Sequence, residues 1–128
     1  MNIIVDSAKS FEQILVDLEQ SIARHGFSVL HRFPLDELLA SKGHAIAMRC
    51  AVFEVCNASL AAQMLARDPT ISLALPCRIA VFQSAGQTRL GMIAPTTLLA
   101  GFETASPDMQ ATAVDVERTL RQILIDTA

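Results

Sequence analysis

Two cysteines hold most of the reactive potential in this sequence. Cys56 stands at the expected end of a strand, one residue before Asn57, and Asn is a residue type that caps helices. Amide dipoles at a helix start favour a thiolate, and a thiolate there would suit sulfur transfer, redox sensing or soft-metal handling. Against this, free cysteine commonly fills small apolar gaps, and neither Lys nor His lies close in sequence to activate Cys56. Cys77 falls in phase with Ile79 and Val81, so its thiol goes wherever those two go, which is expected to be the core. Cys50 and Cys56 are separated by about 20 Å on an extended strand and can share neither a metal ion nor a disulfide. Cys56 and Cys77 can meet, provided that the chain between them returns to the same end of the sheet.

The remaining candidates are weaker. His31 is expected in phase with Phe27, Val29 and Phe33, where a lone imidazole is ordinarily a hydrogen-bonded core or edge group rather than a ligand. His25 reads as a partner for a helix C-terminus and His44 as a loop residue. No H-x-x-H, H-E-x-x-H or carboxylate-rich pattern groups the histidines, so no metal site is predicted. Arg49 and Glu54 are the odd charges in an apolar stretch, and each must reach an edge, a partner charge or an interface. Arg78, beside Pro76 and Cys77, points away from the Ile79 face and is free to meet an anion or to stay solvated. Neither G-x-G-x-x-G, a Walker loop nor G-x-S-x-G occurs, so no cofactor is predicted.

The elements that must position these residues follow from periodicity. Asn2 to Val5 reads as a short strand. Ser10 caps the clearest helix, with Gln13 placed to complete a capping box and Phe11, Ile14, Leu15, Leu18 and Ile22 on one face. Gly26 supplies its left-handed stop. Phe27 to Phe33 alternates as a strand that Pro34 ends, Leu35 to Ala40 forms a short helix, and Ala45 to Val55 reads as a central strand, apolar on both faces. A helix runs from the Asn57 cap to about Arg67, where Asp68-Pro69 breaks it. Cys77 to Phe82 and Thr88 to Ile93 form a hairpin about Gly86. Ser106, Pro107 and Asp108 open a long final helix with Met109, Ala113, Val116, Leu120, Ile123 and Thr127 on one face. This order predicts a single domain over residues 1–128 of the α+β class, a two-layer sandwich in which one mostly antiparallel sheet of about five strands carries helices mainly on one face.

Composition sets the outer bounds. With 128 residues, 52% of them hydrophobic and 18% charged, the chain can bury a core without a metal or disulfide staple and still has apolar surface left for a partner, which makes a homodimer the expectation. A formal charge of -3 and the lack of a basic cluster argue against nucleic acid and anionic lipid. No signal peptide or membrane span is expected at Met1 to Asp6 or elsewhere, and three cysteines without C-x-x-C spacing fit a reducing cytoplasm.

The run Glu54-Val55-Cys56-Asn57, then Leu60-Ala61, Leu65, Asp68-Pro69, Leu75-Pro76-Cys77-Arg78-Ile79 and Val81, resembles the bacterial and archaeal family known as domain of unknown function 302. The likeness spans roughly Ser7 to Ala94. Where many members have Pro after the Asn, this chain has Ala58, which leaves the cap intact. The resemblance implies a small α+β domain that pairs as a homodimer, and no established activity. Because titratable groups are not clustered, the expected role is a non-catalytic accessory module with a groove for a small ligand, and the alternative is a thiol-dependent protein using Cys56 and Cys77. Asn57, Arg78 and His31 complete the candidate residues.

Overall fold

The computed structural model describes residues 1–102 and 106–128. Five strands, β1 (Asn2–Ser7), β2 (Ser28–Phe33), β3 (Cys50–Cys56), β4 (Cys77–Ser84) and β5 (Gln87–Ile93), form one sheet in the order β1-β5-β4-β3-β2. Every neighbouring pair is antiparallel. Helices α1 (Phe11–Arg24) and α5 (Pro107–Thr127) cover one face, and the expected two-layer α+β sandwich is what forms.

The long helices form where local chemistry starts and stops them. Ser10 Oγ accepts the Gln13 amide at 3.1 Å, so α1 has its cap. The Gln13 side chain, however, donates to Asp17 at 2.8 Å rather than reaching back, so the capping box is only half built. Gly26 lies at φ +78, and the bonds Gly26 N–H to Ala23 O and Phe27 N–H to Ile22 O close the helix in a Schellman motif. At α5, Ser106 Oγ accepts from the Met109 amide with Pro107 in the first turn. The predicted face of α5 is buried at all six positions, joined by Leu124.

One apolar cluster fills the space between α1, α5 and the covered face, with Phe53, Val55, Ile79, Val81 and Leu90 supplied by the strands. A second, smaller cluster of Met64, Ile71, Leu99, Met109 and Ala113 lies beyond the sheet's end. It is built from α3 (Ala58–Arg67), the 3-10 turn Pro69–Leu73, α4 (Pro95–Leu99) and the start of α5. The turn and α4 are absent from the sequence reading. Each has a local signal in retrospect: Asp68 Oδ1 accepts the Thr70 amide at 2.9 Å, and Pro95 occupies the first turn of α4.

Two strands differ from expectation. The apolar stretch begun at Ala45 enters the sheet only at Cys50, and residues 45–48 are exposed. Arg49, just before β3, explains the delay. Its guanidinium donates to Asp36 at 2.7 Å and Glu12 at 2.8 Å and lies 4.6 Å from the Phe11 ring centroid, tying α2 (Leu35–Ser41) and α1 to the strand's start. In β2 the register slips at Leu30, because Val29 pairs with Val55 while His31 pairs with Glu54. The extra residue turns His31 and Phe33 to the bare face and puts Arg32 over Phe53, 5.5 Å from the ring centroid. No helix among the described residues is long and apolar enough to cross a membrane.

Candidate functional site

The end of β3, the start of β4, the start of β2 and the end of β5 all lie at one end of the sheet, as antiparallel pairing requires. Val55 stands directly opposite Cys77, and Cys56 is the next residue along β3. The chain between them does return to the same end. Asn57 Oδ1 accepts the Leu60 amide at 3.2 Å, which starts α3 and directs the chain away from the sheet. It comes back through the turn and a cis Leu75-Pro76 bond directly before Cys77.

Cys56 and Cys77 both border one small cavity of about 40 Å³ between the two apolar clusters. Its walls are otherwise apolar, with Phe27, Leu60, Met64, Leu75 and Leu99 among them, and Asn57 at the margin. Burial pushes the Cys77 thiol up to about 11, and the neighbouring Cys56 adds to the rise. Cys77 therefore stays protonated near neutral pH and is a poor nucleophile there. Cys50, at the far end of β3, is raised as well, by burial first and the Asp36 carboxylate second. All three cysteines are free thiols.

A larger cleft of about 710 Å³ crosses the bare face of the sheet. Its floor follows from register. Ile4, Gly91, Ala80 and Val52 line it and stand opposite one another across β1, β5, β4 and β3, with the two smallest residues in the middle, and Phe33 continues the row on β2 outside the cleft. Gly91 is required there. A Cβ on it would come within 2.9 Å of Ile3 O, so any side chain would push β1 from β5. Residues Leu73 to Pro76 wall one side, and Pro95 and Leu98 of α4 contribute as well.

In the next row His31, Glu54 and Arg78 stand opposite one another on β2, β3 and β4. Glu54 and Arg78 line the cleft, and among the described residues neither makes an ion pair or a side-chain hydrogen bond. His31 is exposed, its ring edge-on to Phe33 at 4.1 Å, and it is not among the cleft residues. Of the five residues singled out from sequence, the structure thus brings Cys56, Cys77 and Asn57 to the cavity, Arg78 and again Cys77 to the cleft, and leaves His31 beside it. Ala80, Gly91, Leu73 and Met64 were missed. Only Gly91, a glycine inside a strand, carries a local signal that backbones approach closely.

No group of three or more His, Cys, Asp and Glu residues able to hold a metal ion occurs among the described residues.

The model of the family described as Domain of unknown function DUF302 matches residues 3–127. The chain belongs to that family. A solved structure titled "Crystal structure of uncharacterized conserved protein DUF302 from Bacillus stearothermophilus" superposes with a TM-score of 0.91 at 31% identity, over 99% of this chain and 98% of that one. No curated protein matches. Membership of DUF302 fixes the fold along nearly the whole chain and brings no established activity with it. The DUF302 match also reaches well past the Ser7 to Ala94 segment that carries the resemblance in sequence, taking in α4 and α5.

Proposed function

We propose that this DUF302 chain is a non-catalytic binding module, and that its ligand is a small, largely apolar molecule held in the cleft on the bare face of the sheet. The cleft itself carries the proposal. Its volume of about 710 Å³ falls within the usual size of small-molecule sites, and it pairs an apolar floor with two polar groups, Glu54 and Arg78, that have no partner of their own. An unpaired guanidinium at the margin of an apolar cleft favours a ligand with an anionic end.

Filling the floor tests this directly. Ala80 is half-buried at the middle of the row, and Ala80→Leu places three more carbons in the cleft without touching the covered face. Native mass spectrometry of protein purified from its own source should show a retained small molecule on the wild type and none on Ala80→Leu, with both folded by circular dichroism. Equal retention by both would end the reading.

Pairing as a homodimer belongs to the same proposal. The cleft is bordered by apolar side chains that remain open to water, Leu73 at 86%, Ile93 at 52% and Ile4 at 41%, and a second copy laid on this face would cover them. Three unpaired cysteines fit a reducing cytoplasm as the setting. Redox sensing and sulfur transfer through Cys77 have less support than ligand binding, because its raised pKa leaves that thiol protonated near neutral pH.

A further inference from the structure

The small cavity at the end of the sheet shares Ala74, Leu75, Cys77, Pro95 and Leu98 with the cleft but not its polar groups Glu54 and Arg78, and its sulfur donors are of one chemical kind. Cys56 arrives from the end of β3, Cys77 from the start of β4, and Met64 from α3, two turns beyond the Asn57 cap and one turn beyond Leu60. Three separate elements therefore bring three sulfur-bearing residues to the lining of one small cavity. Asn57 is the one neutral amide at the margin, and its oxygen already accepts the Leu60 amide. With about 40 Å³ to fill, the cavity has room for an ion or one or two waters, and not for an organic substrate.

We infer that Cys56, Cys77 and Met64 form a binding site for a soft monovalent metal ion of the copper(I) class. Soft thiolate and thioether donors select copper(I), and two thiolates with one thioether make a three-coordinate sulfur set. Zinc fits poorly, since structural zinc takes four tetrahedral ligands from thiolate, imidazole and carboxylate, and among the described residues no imidazole or carboxylate borders this cavity. Hard cations need oxygen donors that the walls do not provide.

Binding is an exchange of ions without redox change. One copper(I) enters, the Cys56 and Cys77 S–H bonds break, two Cu–S bonds form with the resulting thiolates, and two protons leave to solvent. The Met64 sulfur donates a lone pair and releases nothing.

An anaerobic titration of the full chain with copper(I), in competition with bathocuproine disulfonate, reads this out. One copper(I) per chain should be retained at chelator concentrations that strip it from Cys56→Ser and from Cys77→Ser. Met64→Leu should weaken retention by about tenfold, the lower end of what losing a supporting group costs a metal site. Cys50→Ser lies at the other end of β3 and should leave retention unchanged. X-ray absorption on the loaded protein should show a shell of sulfur only. Failure to retain copper, equal retention by the Cys56→Ser variant, an equal loss in Cys50→Ser, or a shell dominated by nitrogen or oxygen would each overturn the site. Circular dichroism establishes that each variant is folded, and if Cys77→Ser is not, Cys56→Ser and Met64→Leu decide the matter.

Discussion

Cys77 shows how one residue's surroundings set its chemistry. It sits opposite Val55 against the main apolar cluster, and burial first, then the nearby Cys56, lift its pKa to about 11. An unfolded thiol titrates near 8.5 by contrast. Between those two values the native state holds a proton that the unfolded state has lost, so unfolding releases it and stability falls as pH rises. The contribution is fully present below about pH 8.5 and is lost as pH climbs toward 11. The unfolding free energy of the wild type, measured in urea from pH 7 to pH 11, should therefore fall by roughly 3 kcal/mol more than that of Cys77→Ala, which has no thiol to titrate. Parallel curves for the two proteins would mean that the thiol is solvated.

Elements were legible in the sequence to the extent that their signals were local. The Asn57 cap and the Asp68-Pro69 stop bound α3 at Ala58–Arg67, and the Ser106-Pro107 start and one apolar stripe describe α5. These depend on bonds within one turn. What sequence could not supply was everything decided across strands. The bulge at Leu30 turns His31 and Phe33 to the opposite face from Val29, and a period-two pattern has no way to announce an inserted residue. The delay of β3 to Cys50 is likewise a tertiary effect, set by Arg49 reaching Asp36 and Glu12 on two other elements. The cleft floor was invisible for the same reason, since Ala80 and Gly91 are neighbours only through register.

The start of α1 separates what the sequence suggested from what forms. Ser10 makes its cap bond, whereas Gln13 spends its amide on Asp17 on the exposed face. Ser10→Ala should therefore cost about 1 kcal/mol in chemical unfolding, the usual price of a lost cap. Gln13→Ala should cost no more than about 0.5 kcal/mol, as for an exposed i,i+4 pair. Comparable losses in the two variants would show that the reciprocal box operates after all.

At the scale of the whole molecule the sheet is covered on one side only. α1 and α5 bury the face that carries Phe53, Ile79 and Leu90, while the other face holds the cleft, the unpaired Glu54 and Arg78, and exposed Ile4 and Ile93. The imbalance is energetic as well as geometric. Each large apolar side chain left in water forgoes about 1.5–3 kcal/mol that burial would return, and Leu73, Ile93 and Ile4 lie along one surface. A two-fold partner on this face would recover part of that and enclose whatever the cleft holds. Light scattering after size exclusion should give twice the mass of a 13.8 kDa chain at micromolar concentration. The double variant Leu73→Glu and Ile93→Glu should give the mass of one chain. Because both side chains are exposed in the single chain, the fold should lose no more than about 0.5 kcal/mol per site. A wild type that runs as a monomer removes the dimer, and a variant that still pairs moves the interface elsewhere; in either case the cleft stands or falls separately, on whether Ala80→Leu empties it.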